Sequence, residues 1–123
     1  MAHKPDDLLS RLIKDVDETG AFLPITIIVN GLLITGEVAP RKAWLKHNAE
    51  QLETPTMNRF ARAFEREHDH VAPEEQHIHM SGAKAIYGQT MLPNSGGAFR
   101  VPVSEVSGWT LGEMRTVEGG MHK

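Results

Sequence analysis

Two histidines, His77 and His79, are the residues whose type and spacing come nearest to chemistry in this chain. Residues two apart on a strand point to the same side, so the two imidazoles can share a divalent metal. His68, Asp69 and His70 come just before them and offer further ligands. Spacing fixes no third ligand, however, and histidines beside a polar loop are common, so these are expected to be solvent-facing and no metal or other cofactor is expected. Among other reactive groups, Glu105 has the chemistry of a general base but reads as an exposed turn carboxylate. Tyr87 and Trp109 can line a pocket, yet sit where strand residues normally pack inward. There is no G-x-S-x-G, no phosphate-binding glycine loop, no dinucleotide fingerprint and no cysteine. The expectation is a non-enzyme.

Composition narrows the partners. With 123 residues the chain reads as a single domain, 1–123, able to bury a real core. A net charge of −3 gives no footprint for nucleic acid. Arg59, Arg62 and Arg66 form a basic row, but Glu65 and Glu67 interrupt it, as on a solvated helix face. The first residues, MAHKPDDLL, lack an apolar signal core, and no run approaches a membrane-spanning length. These features predict a soluble cytoplasmic protein with no membrane partner.

The elements that must position these residues are organised around 22–38, FLPITIIVNGLLITGEV. Two β-branched runs flank Asn30-Gly31, the pair best suited to the positive φ angles of a type I′ hairpin turn. That turn sets Val29 opposite Leu32, Ile27 opposite Ile34 and Ile25 opposite Gly36, and gathers Ile25, Ile27, Val29, Leu32, Ile34 and Val38 on a core face. The other face carries Thr26, Thr35 and Glu37, with Ile28 and Leu33 near the tip; it should be wet at its base and covered near the turn. Gly36 predicts a bulge or sharp bend.

Upstream, residues 5–19 predict an amphipathic helix, opened by Pro5 and Asp6-Asp7, striped by Leu8, Leu9, Leu12, Ile13 and Val16, and ended by Gly20. Downstream, residues 40–70 predict a helical insertion. Pro40 opens a helix bearing Trp44, Leu45, Ala49 and Leu52; Thr54-Pro55 starts a second, bearing Met57, Phe60, Ala61 and Phe64; His68–Glu75 is expected to be loop. The remaining strands fall in 76–114: QHIHM with Ile78 and Met80 inward, a turn at Ser81-Gly82, AKAIYG, a flexible loop over 88–98, FRVPV, a turn at 104–106 and SGWTLGEM. Residues 115–123 are expected to fray.

Together these predict an α+β, mainly β fold: a small, strongly bent antiparallel barrel of about five strands with an N-terminal helix and a helical insertion after the first hairpin. The layout, with Asn30-Gly31 followed by Gly36, resembles Sm-like and SH3-like barrels. An Sm-like RNA-binding module is therefore one reading. RVPVSEVSG, at the place of the second Sm motif, supplies neither of the basic pairs such proteins use. The other candidate surface is apolar: Trp44, Met57, Phe60 and Phe64 either cap the barrel or reach a partner or a second copy.

A more specific resemblance covers about half the chain, in its β part. GAFLPITIIVNGLLITGEV, HIHMSGAKAIYG and RVPVSEVSGWTLGEM together resemble the gas vesicle accessory family GvpU. The residues that carry it are Asn30-Gly31 with Ile34 and Gly36, Ile78-His79 with Lys84 and Tyr87-Gly88, and Glu105-Val106 with Gly108-Trp109 and Leu111-Gly112. The resemblance implies a non-enzymatic protein that associates with gas vesicles in the cytoplasm and promotes their clustering. Its partners would be shell or other gas vesicle proteins, and it would form homo-oligomers. The alternatives are the RNA-binding module and a metal- or small-molecule-binding domain using His77 and His79.

Overall fold

Asp6 starts the first helix: its carboxylate accepts the Leu9 N–H at 2.9 Å, satisfying one of the free donors at a helix start. The structure, a computed structural model, describes residues 6–70, 72 and 75–115. Helix α1 runs Asp7–Thr19 and ends at Gly20, whose φ of 76° suits a left-handed cap. Its Leu9, Ile13 and Val16 are buried, while Leu8 is exposed. Pro5 lies outside the described residues.

The hairpin forms as its residues require. β1 (Leu23–Val29) and β2 (Leu32–Val38) pair with Val29 opposite Leu32 and Ile25 opposite Gly36. Asn30 and Gly31 both have positive φ, 51° and 80°. Ile25, Ile27, Ile34 and Val38 join the α1 stripe and Ile78, Met80, Ala83, Val103 and Val106 in one core, with Val29 and Leu32 packed at its edge. Helix and hairpin therefore fold on each other, since neither can bury its apolar side alone.

Two helices follow, α2 (Arg41–Gln51) and α3 (Asn58–Asp69). The second starts three residues later than Thr54-Pro55 suggests. Thr54 instead closes a turn in which its carbonyl accepts the Met57 and Asn58 N–H groups. α3 also runs on through His68 and Asp69, which are helical rather than loop. Trp44, Leu45 and Ala39 make a second, smaller core with Phe64 against it.

Five strands form one antiparallel sheet in the order β4-β3-β2-β1-β5, with β3 spanning His77–Tyr87, β4 Thr90–Pro102 and β5 Val106–Leu111. This confirms a mixed α+β fold with five antiparallel strands. Among the described residues no ladder joins β4 to β5, so the sheet is open.

Two expectations in this half are corrected. Ser81-Gly82 is no hairpin turn: β3 runs straight through it, and the register against both neighbours shifts there. Gly36 sits opposite that shift, and a Cβ on it would come within 2.8 Å of Ala83 Cα. The glycine is there because two bent strands touch. Residues 90–98 are not loop either; they lead the edge strand β4. Pro93 misleads the eye because an edge strand tolerates a missing N–H. The hairpin that does exist turns at Gly88-Gln89, between Tyr87 and Thr90. A short 3-10 turn, Val103–Glu105, then links β4 to β5.

The outer face of the first hairpin is the reverse of its expectation. Thr26 and Thr35 are buried, whereas Ile28 at the tip is exposed. After β5 the chain folds back across the base of the hairpin. Gly112 O accepts the Thr26 hydroxyl at 2.9 Å, and Met114 N–H donates to the Thr35 hydroxyl at 2.7 Å. The two threonine hydroxyls also bond each other at 2.9 Å. Tyr87 is exposed rather than packed, and Trp109 is half-buried against the core. The tail beyond Arg115 lies outside the described residues.

Candidate functional site

β3 sends alternate residues to opposite faces. Ile78 and Met80 enter the main core, and His77 and His79 point to the other side, their ring centres 6.3 Å apart. This places the pair where a strand reading puts it, but not in solvent. His79 is only 4% exposed. The Trp44 ring stands 4.9 Å from the imidazole, and Trp44 Nε1–H donates to Met80 O at 3.1 Å, pinning α2 to β3 directly over the histidine. His77 remains at the rim, half-buried.

Around His79 the chain assembles charges from four elements and from Glu75, just ahead of β3. Arg41, 9% exposed at the start of α2, donates from one guanidinium nitrogen to Glu67 O at 2.9 Å and to Glu67 Oε2 at 3.0 Å. Arg100 on β4 reaches the same carboxylate oxygen at 3.3 Å. Asp17 Oδ1 on α1 accepts the Arg41 backbone N–H at 2.8 Å, capping α2 from another helix. Lys14 and Asp17 of α1, Arg41, Arg100 and Glu75 are the charged residues lining a cavity of about 380 Å³, also walled by Ser10, Ile13 and Gln76.

The electrostatics follow from this crowding. Burial, then the positive charge of Arg100, pushes the His79 imidazole down to about 3 from an ordinary 6.5. His77 and Arg41 push the same way and Glu67 opposes them weakly. His79 is therefore neutral at physiological pH. The hydrogen bond from Arg41 holds Glu67 below the usual carboxylate range, with Arg100 adding to it. Two buried nitrogens, Arg41 Nε and His79 Nε2, have no hydrogen-bond partner among the described residues.

Other candidates scatter. His68 Nδ1 pairs with Asp69 Oδ1 at 3.1 Å, and His70 bonds the Arg66 carbonyl, both on exposed parts of α3 and its end. No group of three or more His, Asp or Glu side chains among the described residues is arranged to hold a metal. The apolar quartet divides: Trp44 is buried and Phe64 half-buried against it, whereas Met57 is 44% and Phe60 57% exposed.

A model of the family described as gas vesicle protein GvpU-like matches residues 6–114. The chain belongs to the GvpU-like family. Neither the curated proteins nor the solved structures contain a match to it. The family match spans α1, both β regions and the helical insertion 40–70, and so reaches beyond the β part that carries the resemblance in the sequence.

Sequence reasoning missed Arg41, Glu67, Arg100, Lys14 and Asp17 as one constellation. They come from distant parts of the chain, so no spacing records them. A partial signal exists for two of them: Arg41 continues the Trp44–Leu45–Ala49 stripe, and Glu67 continues the Met57–Phe60–Phe64 stripe. A charge at an inward position of each helix points to a pair buried between them.

Proposed function

We propose that this GvpU-like chain is a non-enzymatic accessory protein that associates with gas vesicles in the cytoplasm and gathers them through self-association. The family match over residues 6–114 is the observation that carries the vesicle role. The fold supports the self-association. Among the described residues β4 and β5 each have a strand neighbour on one side only, and an open edge is a template for pairing with another copy. Joining β4 of one copy to β5 of the next is a heterologous contact, which propagates into rings or filaments.

The shell contact is assigned to Met57 and Phe60, both exposed at the N-terminal end of α3 and outside the small core that Phe64 joins. One such patch is small, and several copies on one assembly bind by avidity. The test is light scattering of the purified protein over a wide concentration range, with and without Thr110→Lys on the exposed face of β5. Wild type is expected to grow in mass with concentration and the lysine variant to remain small, and to lose vesicle clustering with it. A wild-type protein that stays monomeric at every concentration sinks the bridging mechanism.

A further inference from the structure

We propose that α2 and α3 form one unit that comes away from the outer side of β3, melting as it does so, while α1 and the sheet stay folded, and that acid favours this opening. This goes beyond the vesicle role and does not depend on it.

The apolar contacts divide the molecule in two. α1 is built into the main core through Leu9, Ile13 and Val16, whereas no residue of α2 or α3 belongs to that core. The helical pair has its own small core, in which Trp44 and Leu45 of α2 meet Phe64 of α3, with Ala39 beside them. The Trp44 and Phe64 rings stand 6.1 Å apart, and Arg41 on α2 donates to both the carbonyl and the carboxylate of Glu67 on α3. These contacts hold the two helices to each other rather than to the sheet. The pair is also one continuous stretch of chain, as units that open separately from a core usually are.

The seam between this unit and the rest is thin and mostly polar. Among the described residues three side-chain hydrogen bonds cross it: Trp44 to Met80 O at 3.1 Å, the Arg41 backbone N–H to Asp17 at 2.8 Å, and Arg100 to Glu67 at 3.3 Å. The one aromatic contact across it sets Trp44 on the His79 imidazole. The seam also carries a cost. Arg41 Nε on its helical side and His79 Nε2 on its strand side are buried with no hydrogen-bond partner among the described residues. Opening lets water reach both, which offsets part of what the broken contacts lose. Helices of 11 and 12 residues are marginal in water by themselves, so the released pair melts instead of swinging out intact.

Acid acts through His79. The charged groups around it are Lys14 and Asp17 on α1, Arg41 on α2, Glu67 on α3, Arg100 on β4, and Glu75 and His77. Closed, the ring is kept neutral by burial first and by Arg100 next, with Glu67 too weak an opposing charge to reverse them. Opened, it meets water and takes up a proton at an ordinary pH. Opening therefore binds a proton, and a lower pH favours it.

The test is native-state amide hydrogen exchange on the whole chain in low urea, comparing Leu45, Ala49, Ala61 and Phe64 with Ile27 and Ile34. The four helical amides are expected to share one protection factor, at least tenfold below that of the two strand amides, and to respond less steeply to urea. Ile27→Val, a small change confined to the main core, is expected to lower strand protection severalfold and leave helical protection unchanged, because the open form keeps that core. From pH 7.5 to pH 5 the helical protection is expected to fall tenfold or more in the wild type, and by much less in His79→Phe. Helical and strand amides that share one protection factor and one urea response overturn the proposal. So does an Ile27→Val variant in which both sets fall by the same factor, since the whole chain then opens as a single unit. Helical protection that is the same at both pH values overturns the acid dependence.

Discussion

His79 shows how one side chain ties stability to pH. Its imidazole is neutral in the fold, with a value near 3, and titrates at an ordinary 6.5 once unfolded. Between those limits the unfolded chain binds the extra proton, so stability is full above about pH 6.5 and falls as pH drops toward 3. At pH 5 the loss from this group alone is about 2 kcal/mol, each unit of separation being worth about 1.4 kcal/mol. Glu67 acts in the same direction at lower pH, because its folded carboxylate resists protonation. Urea unfolding at pH 7.5 and pH 5 is expected to show the drop, and His79→Phe, which keeps a ring against Trp44, is expected to shrink it. Equal drops in the two proteins would remove His79 as the cause. At the same scale, Trp44→Phe strips the donor from Met80 O, a buried carbonyl. The expected cost is about 1–3 kcal/mol, read as a lower urea midpoint with an unchanged slope.

At the scale of elements, the two glycine-marked bends decide whether the sheet can curve. β2 shifts register at Gly36 and β3 shifts at Ser81–Gly82, and the strands touch where they bend. A methyl group at position 36 would press on backbone rather than on a movable side chain. Gly36→Ala is therefore expected to destabilise the protein by about 1–3 kcal/mol, measured by thermal unfolding. Ala substitution at Gly20, where the space is open, costs less: about 1 kcal/mol from the left-handed φ alone. If the two variants melt together, the contact between the bends is not the constraint. The helical pair obeys a different logic. α2 is held by the Trp44 hydrogen bond to β3, the Asp17 cap from α1 and the Arg41–Glu67 pair to α3, so it is tied to every layer of the molecule at one end.

At the scale of the whole molecule, the described surface separates a vesicle-facing candidate from the structural core. Met57 and Phe60 are expected to tolerate Met57→Ser with Phe60→Ser with a change in stability within about 0.5 kcal/mol, as exposed positions do. The same double variant is expected to lose co-sedimentation with gas vesicles while keeping its oligomer mass. Retained co-sedimentation would move the shell contact elsewhere. On the proposed mechanism, strand edges used for copies and a separate α3 patch used for the shell would let one assembly bridge two vesicles. A single surface used for both would compete with itself.

Local chemistry alone determined a good deal. The Asn30-Gly31 turn, the hairpin register, the capped first helix and the inward Ile78 and Met80 all follow from rules acting within a few residues, namely turn φ angles, side-chain period and capping. The family resemblance lay in those same segments. Where the reading failed, the deciding contact came from far along the chain. Ser81-Gly82 looks like a turn until β2 and β4 pair through it, and 90–98 looks like loop until β3 recruits it. Thr26 and Thr35 look solvated until residues 112–114 cross over them, 79 or more positions away. His79 is the clearest case. Alternation put it opposite the core, but only the packing of α2 turned that side into a second interior, and only the meeting of Arg41, Glu67 and Arg100 gave it a charged wall. Periodicity tells which side of a strand a residue takes; what covers that side is decided by elements that arrive later.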